Sequence, residues 1–126
     1  MRQVVLDLLD PSAMDELGDM LADAAAQADS VGDALEVALL VNAAGLGKLG
    51  TYADVTRREV DAMVGLNCRV LVDVTQLALP YMRRGARLMQ IASSASFQPL
   101  PGLNVYAATK AFVRSYTCIN VASACL

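Results

Sequence analysis

Apolar residues along the chain alternate between short continuous runs and longer stretches with helical spacing. The short runs lie at residues 4–8, 35–41 and 87–92, and each is followed by polar residues or glycine. Short apolar runs bounded in this way are typical of buried strands. Apolar positions at helical spacing fill the segments 13–28, 56–82 and 104 onward. Strands and helices that alternate in this order indicate parallel βαβ units, so the pattern predicts an α/β fold with flanking helices.

Two of the predicted helices have recognisable first turns. Ser12 is a suitable capping residue for the first helix, and Asp15 and Glu16 carry negative charge close to its N-terminus. Thr56 and Glu59 have the spacing of a capping box. We therefore expect helices to begin directly after Ser12 and directly after Thr56.

A glycine-rich stretch, AAGLGKLG, follows the second predicted strand at residues 43–50. Its last six residues match the G-x-G-x-x-G pattern of dinucleotide sites. In such sites the helix begins within the glycines, so that its N-terminus meets the pyrophosphate. Here the helix-start signal comes only at Thr56, and no further strand ends in an acidic residue about 20 positions on. The sequence therefore favours a turn over a phosphate-binding loop.

Tyr106 and Lys110 are the side chains with the clearest chemical potential. They are four residues apart in the last predicted helix, so they lie on one face, one turn apart. A lysine ammonium there would favour the phenolate form of the tyrosine, which predicts a general acid or base. Ser93 follows a predicted strand at the carboxyl edge of the sheet, where ligands bind in open α/β folds. Ser94 and Ser96 lie in the same loop, and spacing alone does not separate the three serines.

Composition narrows the chemistry further. The 126 residues contain no histidine, which excludes Ser-His and Cys-His nucleophile pairs and every zinc site that needs imidazole. Cys68, Cys118 and Cys125 are odd in number and lack C-x-x-C spacing. We therefore predict buried reduced thiols, without a disulfide framework and without a metal site.

The hydrophobic fraction of 56% is high for so short a chain, and indicates either a membrane protein or the middle of a larger core. A membrane span needs about 20 apolar residues with few charges, and Arg69 and Asp73 interrupt the longest apolar stretch. No signal peptide is recognisable, so we expect a cytoplasmic protein without a membrane partner. The basic residues are scattered and lack an aromatic platform, which argues against nucleic acid as a partner.

Four segments together resemble the short-chain dehydrogenase/reductase family. IASSASFQPLPGLNVYAATKAF at 91–112 is similar to its active-site region, with the serine, the Pro-Gly pair and the Y-x-x-x-K. LVNAAG at 40–45 resembles a strand end of the family, although Ala43 replaces a second asparagine. GLNCRV at 65–70 resembles a segment in the middle of a helix, and VVLDLLDP at 4–11 resembles the third strand. Four motifs in the right order are a specific signal, unlike any one alone.

The resemblance implies a catalytic role for four residues. Tyr106 would be the proton donor or acceptor, and Lys110 would assist it and hold the nicotinamide ribose. Ser93 would orient the substrate carbonyl or hydroxyl group. Asn67 would anchor a water molecule that links Lys110 to solvent, although it could also be an ordinary polar helix position.

The resemblance also implies NAD or NADP as the cofactor, with the choice between them open. Asp7 and Leu8 would lie beside the adenine, whereas Asn42, Ala44 and Gly45 would line the cofactor cleft. Tyr106 and Lys110 would contact the cofactor as well. Asp7 has a simpler alternative role as an acidic residue that caps the next turn.

Residues 1–126 are thus expected to form a single incomplete NAD(P)-binding domain, a partial Rossmann-like doubly wound parallel sheet with flanking helices. The implied reaction interconverts a small-molecule carbonyl and an alcohol by hydride transfer. A full-length parent is expected to form homo-oligomers through helices near 56–82 and 104–126. The segment 4–8 would lack neighbouring strands in the order 3-2-1-4-5-6, so we expect poor solubility unless it pairs with 35–41.

Two other functions are compatible with parts of the sequence. The chain could be a non-catalytic remnant of such an enzyme that acts at most as an interaction module. Ser93 and Lys110 could instead form a Ser/Lys hydrolase site, but no oxyanion motif accompanies them.

Overall fold

The computed structural model describes residues 3–51, 53–98 and 100–123, and the side chains of the last helix as far as residue 118. Cys125 lies outside the described residues. Two short 3-10 turns, Leu79–Tyr81 and Ser94–Ser96, supplement the main elements. In chain order, these are helix α1 (Ala13–Asp29), strand β1 (Leu39–Asn42), helix α2 (Arg57–Val64), a π-helical segment (Gly65–Val70), helix α3 (Leu71–Ala78), strand β2 (Arg87–Gln90) and helix α4 (Asn104–Ser123).

Strands β1 and β2 form a two-stranded parallel sheet. Leu39 pairs with Arg87 and Asn42 pairs with Gln90, so the two strands are in step along their length. The continuous helical stretch from α2 through α3 connects them, as a parallel pair requires. The predicted α/β fold with parallel strands is therefore confirmed, although both strands are shorter than the runs 35–41 and 87–92.

One face of the sheet is covered and the other is open. Asn42 and Gln90 point to α3, where both donate a hydrogen bond to Thr75 Oγ1, at 3.0 and 3.1 Å. On the opposite face Val41 and Met89 pair with each other and are 45% and 50% exposed. The expectation of fully buried strands is therefore wrong, because helices cover only one face among the described residues.

Both helices begin where the sequence predicted, directly after Ser12 and directly after Thr56, but only α2 has the predicted side-chain cap. At α2 the capping box is complete, since Glu59 N donates to Thr56 Oγ1 and Thr56 N donates to Glu59 Oε2. At α1 the predicted cap is wrong: Ser12 itself has helical backbone angles, and its hydroxyl donates to Asp10 Oδ1 at 2.7 Å. The Asp10 carboxylate, two residues earlier, also accepts from Ser12 N at 2.9 Å.

The predicted strand at 4–8 is wrong. Residues 3–7 have no regular secondary structure, and Val5 is 88% exposed. Asp7 Oδ1 accepts a hydrogen bond from Leu9 N, so this acid caps the turn that precedes α1, which was its simpler alternative role. A strand forms only where a partner strand satisfies its backbone, and β1 is paired with β2 alone among the described residues. Residues 4–8 also do not pair with residues 35–41.

The long helical stretch at the centre of the molecule forms much of the core. Met63 is fully buried, and Val70, Leu71 and Ala78 are nearly so, while Val113 of α4 packs into the same core. Contrary to our expectation, the 25 residues Arg57–Tyr81 include a window long and apolar enough to cross a membrane by length and composition. Core helices of soluble proteins pass the same test, and this helix contacts α1, β1 and α4. It is therefore weak evidence for a membrane span.

The cysteines differ from the expectation of buried thiols. Of the two cysteines that the structure describes, Cys118 is exposed on α4 and Cys68 is partly buried; both are free. Burial raises the pKa of the Cys68 thiol, although the charge of Lys110 opposes this effect. Within the part of the chain that the structure describes, no group of three or more side chains could hold a metal ion.

Candidate active site

Helix α4 and the end of β2 bring the predicted acid-base pair together. Lys110 Nζ donates a 2.7 Å hydrogen bond to the carbonyl oxygen of Ile91, the first residue after β2. The same nitrogen lies 5.9 Å from the centre of the Tyr106 ring. Both side chains therefore lie at the carboxyl edge of the sheet, as their spacing and the position of Ser93 predicted.

The lysine is an unusual buried charge. Lys110 is only 6% exposed, and it takes part in none of the ion pairs among the described residues. An ammonium group has three donors, and the structure pairs one of them with Ile91. Because an incompletely paired buried charge is costly, such a group is a candidate for a functional role.

The glycine-rich loop lies directly over this pair. A Cβ atom at Gly45 would lie 3.2 Å from Asn67 Oδ1 and 3.3 Å from Lys110 Nζ. A Cβ atom at Gly47 would lie 2.8 Å from Cδ2 of the Tyr106 ring, closer than real Cβ atoms approach. Glycine is therefore needed at residue 47 if the loop is to cover the tyrosine at this distance.

Asn67 fixes the loop to the helices beneath it. It lies in the π-helical segment, a feature often found at functional sites, and is 1% exposed. Its Oδ1 accepts from Leu46 N at 2.9 Å, and its Nδ2 donates to Leu46 O at 2.8 Å and to Thr109 Oγ1 at 2.9 Å. The Asn67 side chain therefore uses three of its four hydrogen-bonding positions to hold the loop in place, and its Oδ1 can accept one more bond.

Thr109 is a site residue that sequence reasoning missed. It is 3% exposed, and its hydroxyl accepts from Asn67 and donates to Tyr106 O at 2.8 Å. It thereby joins the π-helical segment to the first turn of α4. Its position immediately before Lys110 is the only signal in the sequence that could have drawn attention to it.

The three serines of the 93–102 loop differ in their hydrogen bonds. Ser93 Oγ accepts from Ala95 N at 3.2 Å, which leaves its hydroxyl proton available to a ligand. Ser96 is 7% exposed, and its hydroxyl donates to Ser93 O at 2.6 Å. Ser94 is exposed at the start of the 3-10 turn. Ser93 is thus the best-placed donor of the three, because it directly follows Ala92, which lines the cleft described next.

Beside the tyrosine and the lysine is an open cleft of about 420 Å³. This is within the range of small-molecule sites. Ser93 is not part of its lining, but it directly follows Ala92, which is. The residues that line it are Ala43, Gly45, Leu46, Gly47, Leu49, Ile91, Ala92, Leu103, Tyr106 and Lys110.

Apart from Tyr106 and Lys110, five residues were expected at the cofactor, and one of these five lines the cleft. Gly45 does so, whereas Ala44 does not. The side chain of Asn42 points away, to Thr75 and to Leu71 O on the far side of the sheet, because strand side chains alternate between faces. Asp7 and Leu8 lie in the turn before α1, and neither belongs to the lining.

The cleft fits one end of a nicotinamide cofactor. The glycine at 45 leaves room beside Lys110 Nζ, and the ammonium has donors available for ribose hydroxyl groups. The glycine-rich stretch, by contrast, lacks the geometry of a phosphate-binding loop, since it is irregular and α2 begins only at Arg57. The sequence argued against a phosphate-binding loop on the same ground, but the turn that it favoured instead is wrong, since residues 43–50 are irregular.

A family model for the short chain dehydrogenase matches residues 4–120. The chain belongs to the short-chain dehydrogenase family. Sulfoacetaldehyde reductase 2 of Chromohalobacter salexigens is 35% identical over 117 residues, which cover 90% of this chain and 43% of that protein. The chain thus spans less than half the length of this relative.

Solved structures give the same result. A short chain dehydrogenase from Burkholderia cenocepacia in complex with NADP is 29% identical, with a TM-score of 0.74 over 90% of this chain and 43% of that one. The closed form of serine dehydrogenase complexed with NADP+ is 32% identical, with a TM-score of 0.75 over 94% of this chain and 45% of that one. The fold is therefore of the Rossmann type, and nicotinamide binding occurs in the family.

Proposed function

We propose that these residues serve an NAD(P)-dependent oxidoreductase that interconverts a carbonyl group and an alcohol. The observation that carries the proposal is the placement of Tyr106 and the buried Lys110 together beside an open cleft at the carboxyl edge of the sheet. This arrangement combines a phenol that can exchange a proton with a positive charge nearby.

In the reducing direction, Tyr106 donates its phenolic proton to the carbonyl oxygen of the substrate. In the oxidising direction, the phenolate accepts the proton of the alcohol. Ser93 donates a hydrogen bond to the same substrate oxygen, since its hydroxyl proton is not needed by Ala95 N. Two donors that converge on one oxygen stabilise the negative charge that develops there.

Lys110 and Asn67 support the tyrosine. The ammonium of Lys110, fixed by Ile91 O, favours negative charge in the cleft and holds the ribose end of the cofactor. Asn67 fixes the loop above, and we assign to it the water molecule that would link Lys110 to solvent. A nicotinamide held beside Gly45 would supply the hydride. The NADP in both structural relatives supports NADP slightly over NAD for this chain.

For a full-length parent we further propose a cytoplasmic homo-oligomer that contacts neither nucleic acid nor a membrane. Apolar side chains on the two helical stretches near 56–82 and 104–126 support a subunit contact. Val64 and Leu79 are 46% and 51% exposed, and Phe112 stacks on Tyr116 at 5.9 Å while remaining 42% exposed.

Titration with NADPH, followed by the change in nicotinamide fluorescence, tests the cofactor. A carbonyl substrate is then added, and the loss of nicotinamide absorbance measures turnover. In a full-length parent we expect Tyr106→Phe to nearly abolish turnover, a loss of about 10²–10⁴-fold as is usual for acid-base catalysis, with cofactor affinity nearly unchanged.

Tyr116→Phe is the matched control, because Tyr116 stacks on Phe112 and does not line the cleft. It should leave both readouts unchanged. Loss of cofactor binding together with turnover in Tyr106→Phe would contradict the acid-base role. No binding of either NADH or NADPH at millimolar concentration would favour the non-catalytic remnant.

A further inference from the structure

We propose that the cleft selects carbonyl compounds whose carbonyl group carries an apolar, uncharged substituent, and that Leu49 and Leu103 form the surface that recognises this substituent. This inference rests on the proposed function, since it names the substrate class of the same site. It is drawn from how two loops present apolar side chains beside Tyr106.

Leu49 is an exposed apolar side chain that faces a cleft. It is 72% exposed, yet it lines the same cavity as Tyr106. The folded chain alone buries little of the Leu49 side chain, whereas a ligand in the cleft would cover it. Leu46 and Ile91 extend the apolar lining on either side.

A backbone hydrogen bond joins the two loops that carry these leucines. Gly50 N donates to Gly102 O at 2.8 Å. Gly102 has a φ of +76°, which few other residues adopt, and Leu103 N closes the turn on Leu100 O at 3.0 Å. A Cβ atom at Gly102 would lie 4.0 Å from Leu49 Cγ, so the Leu49 side chain lies against this turn, next to Leu103.

The loop that carries Leu49 is also fixed on the other side. Lys48 Nζ forms a 2.9 Å ion pair with Glu59 at the start of α2. Thr51 donates from its backbone nitrogen and its hydroxyl to Asp54 Oδ2, at 2.8 and 2.7 Å. With residues on both sides held, the position of Leu49 is defined before a ligand binds, which reduces the entropy lost on binding.

The charges around the cleft offer an anionic substituent no partner of its own. Lys110 is the one charged residue that the described part of the chain contributes to the lining, and its buried ammonium, bonded to Ile91 O and 5.9 Å from the centre of the Tyr106 ring, serves the reacting oxygen and the ribose in the proposed function. Lys48 pairs with Glu59, and the Arg114 guanidinium lies 4.4 Å from the centre of the Phe97 ring. Among the described residues, therefore, the lining holds no second cation beside Lys110 to neutralise an anion removed from water.

The test uses two ketones of nearly the same shape, para-isopropylacetophenone and para-acetylbenzoate. Their affinities for the 126-residue chain are measured by saturation-transfer NMR, with and without NADPH. We expect the isopropyl ketone to bind about tenfold more tightly or better, because its substituent is apolar where the other is charged. Leu49→Arg should remove or reverse this preference.

Two control variants make the result specific. Leu49→Met keeps an apolar side chain and should keep the preference. Val31→Arg adds the same charge as Leu49→Arg, but at a turn away from the cleft where Val31 is 78% exposed, so it should keep the preference as well. Equal affinities for the two ketones, tighter binding of para-acetylbenzoate, or binding of neither would overturn the proposal. So would an unchanged preference in Leu49→Arg.

The outcomes separate this proposal from the proposed function. Preference for the isopropyl ketone without NADPH-dependent turnover would contradict the oxidoreductase function and leave the apolar ligand site intact. Turnover of both ketones with para-acetylbenzoate as the better substrate would contradict the apolar site and leave the oxidoreductase function intact.

Discussion

Gly47 lies closer to the Tyr106 ring than a residue with a side chain could. A Cβ atom there would be 2.8 Å from Cδ2 and 3.1 Å from Cε2 of the ring. Gly47→Ala must therefore displace either the loop or the tyrosine. We expect the free energy of unfolding to fall by about 1–3 kcal/mol, the usual cost of overpacking, as measured by urea denaturation followed by circular dichroism.

Gly18→Ala is the matched control at this scale. Gly18 lies within α1, where a Cβ atom would make an ordinary contact at 3.4 Å from Leu77 Cδ2. Alanine is the better helix former, so we expect this variant to be more stable by about 0.5–1 kcal/mol. If both variants were equally stabilised, the close approach at residue 47 would not exist in solution.

Part of the candidate site could be predicted from the sequence. Tyr106, Lys110 and Ser93 could be found because their spacing and their place after a strand have chemical meaning. The role of Thr109 could not be predicted, because its two hydrogen bonds depend on the π-helical segment and α4 packing together. Asn42 had the right sequence context, but the pairing of β1 directs its side chain to the other face of the sheet.

At the scale of elements, the start of α2 gives a pH-dependent prediction. Glu59 accepts hydrogen bonds from Lys48 and from the backbone and hydroxyl of Thr56, and these lower its pKa from 4.5 to about 2. A carboxyl group with a lowered pKa in the folded state stabilises the fold above its ordinary pKa. That contribution is lost as the pH falls from about 4.5 to about 2.

We therefore expect Glu59→Gln to be less stable than the wild type at neutral pH, with the difference shrinking as the pH falls through this range. Urea denaturation at a series of pH values measures it. Asp61→Asn removes the same charge from α2 at a residue whose contact with Arg57 is 4.0 Å and highly exposed, so it should change stability little. A difference for Glu59→Gln that is constant with pH would show that the pairing with Lys48 and Thr56 is absent.

At the scale of the whole molecule, the open face of the sheet is the main liability. Leu39, Val41, Met89 and Ile91 are each between 42% and 52% exposed. Exposed apolar strands promote association. We expect the isolated chain to associate with increasing concentration, as measured by light scattering and by binding of a hydrophobic dye.

Met89→Lys should reduce this association, since it places a charge in the middle of the open face. Val31→Lys adds the same charge at an exposed turn outside the sheet and should leave the association unchanged. A wild-type chain that stays monomeric, binds no dye and unfolds in one sharp thermal transition would contradict the prediction.

The sequence by itself determined the order of the elements from α1 to α4, the parallel pairing of β1 and β2, and the placement of Tyr106 and Lys110 one turn apart on α4. These depend on local periodicity, on a capping box and on residues that are close together in the chain. Only the tertiary structure decided that residues 4–8 form no strand, that Asn67 and Thr109 tie the loop to α4, and that Leu49 faces the cleft. A strand needs a partner to satisfy its backbone, and the direction of a side chain is fixed only when separate segments pack together.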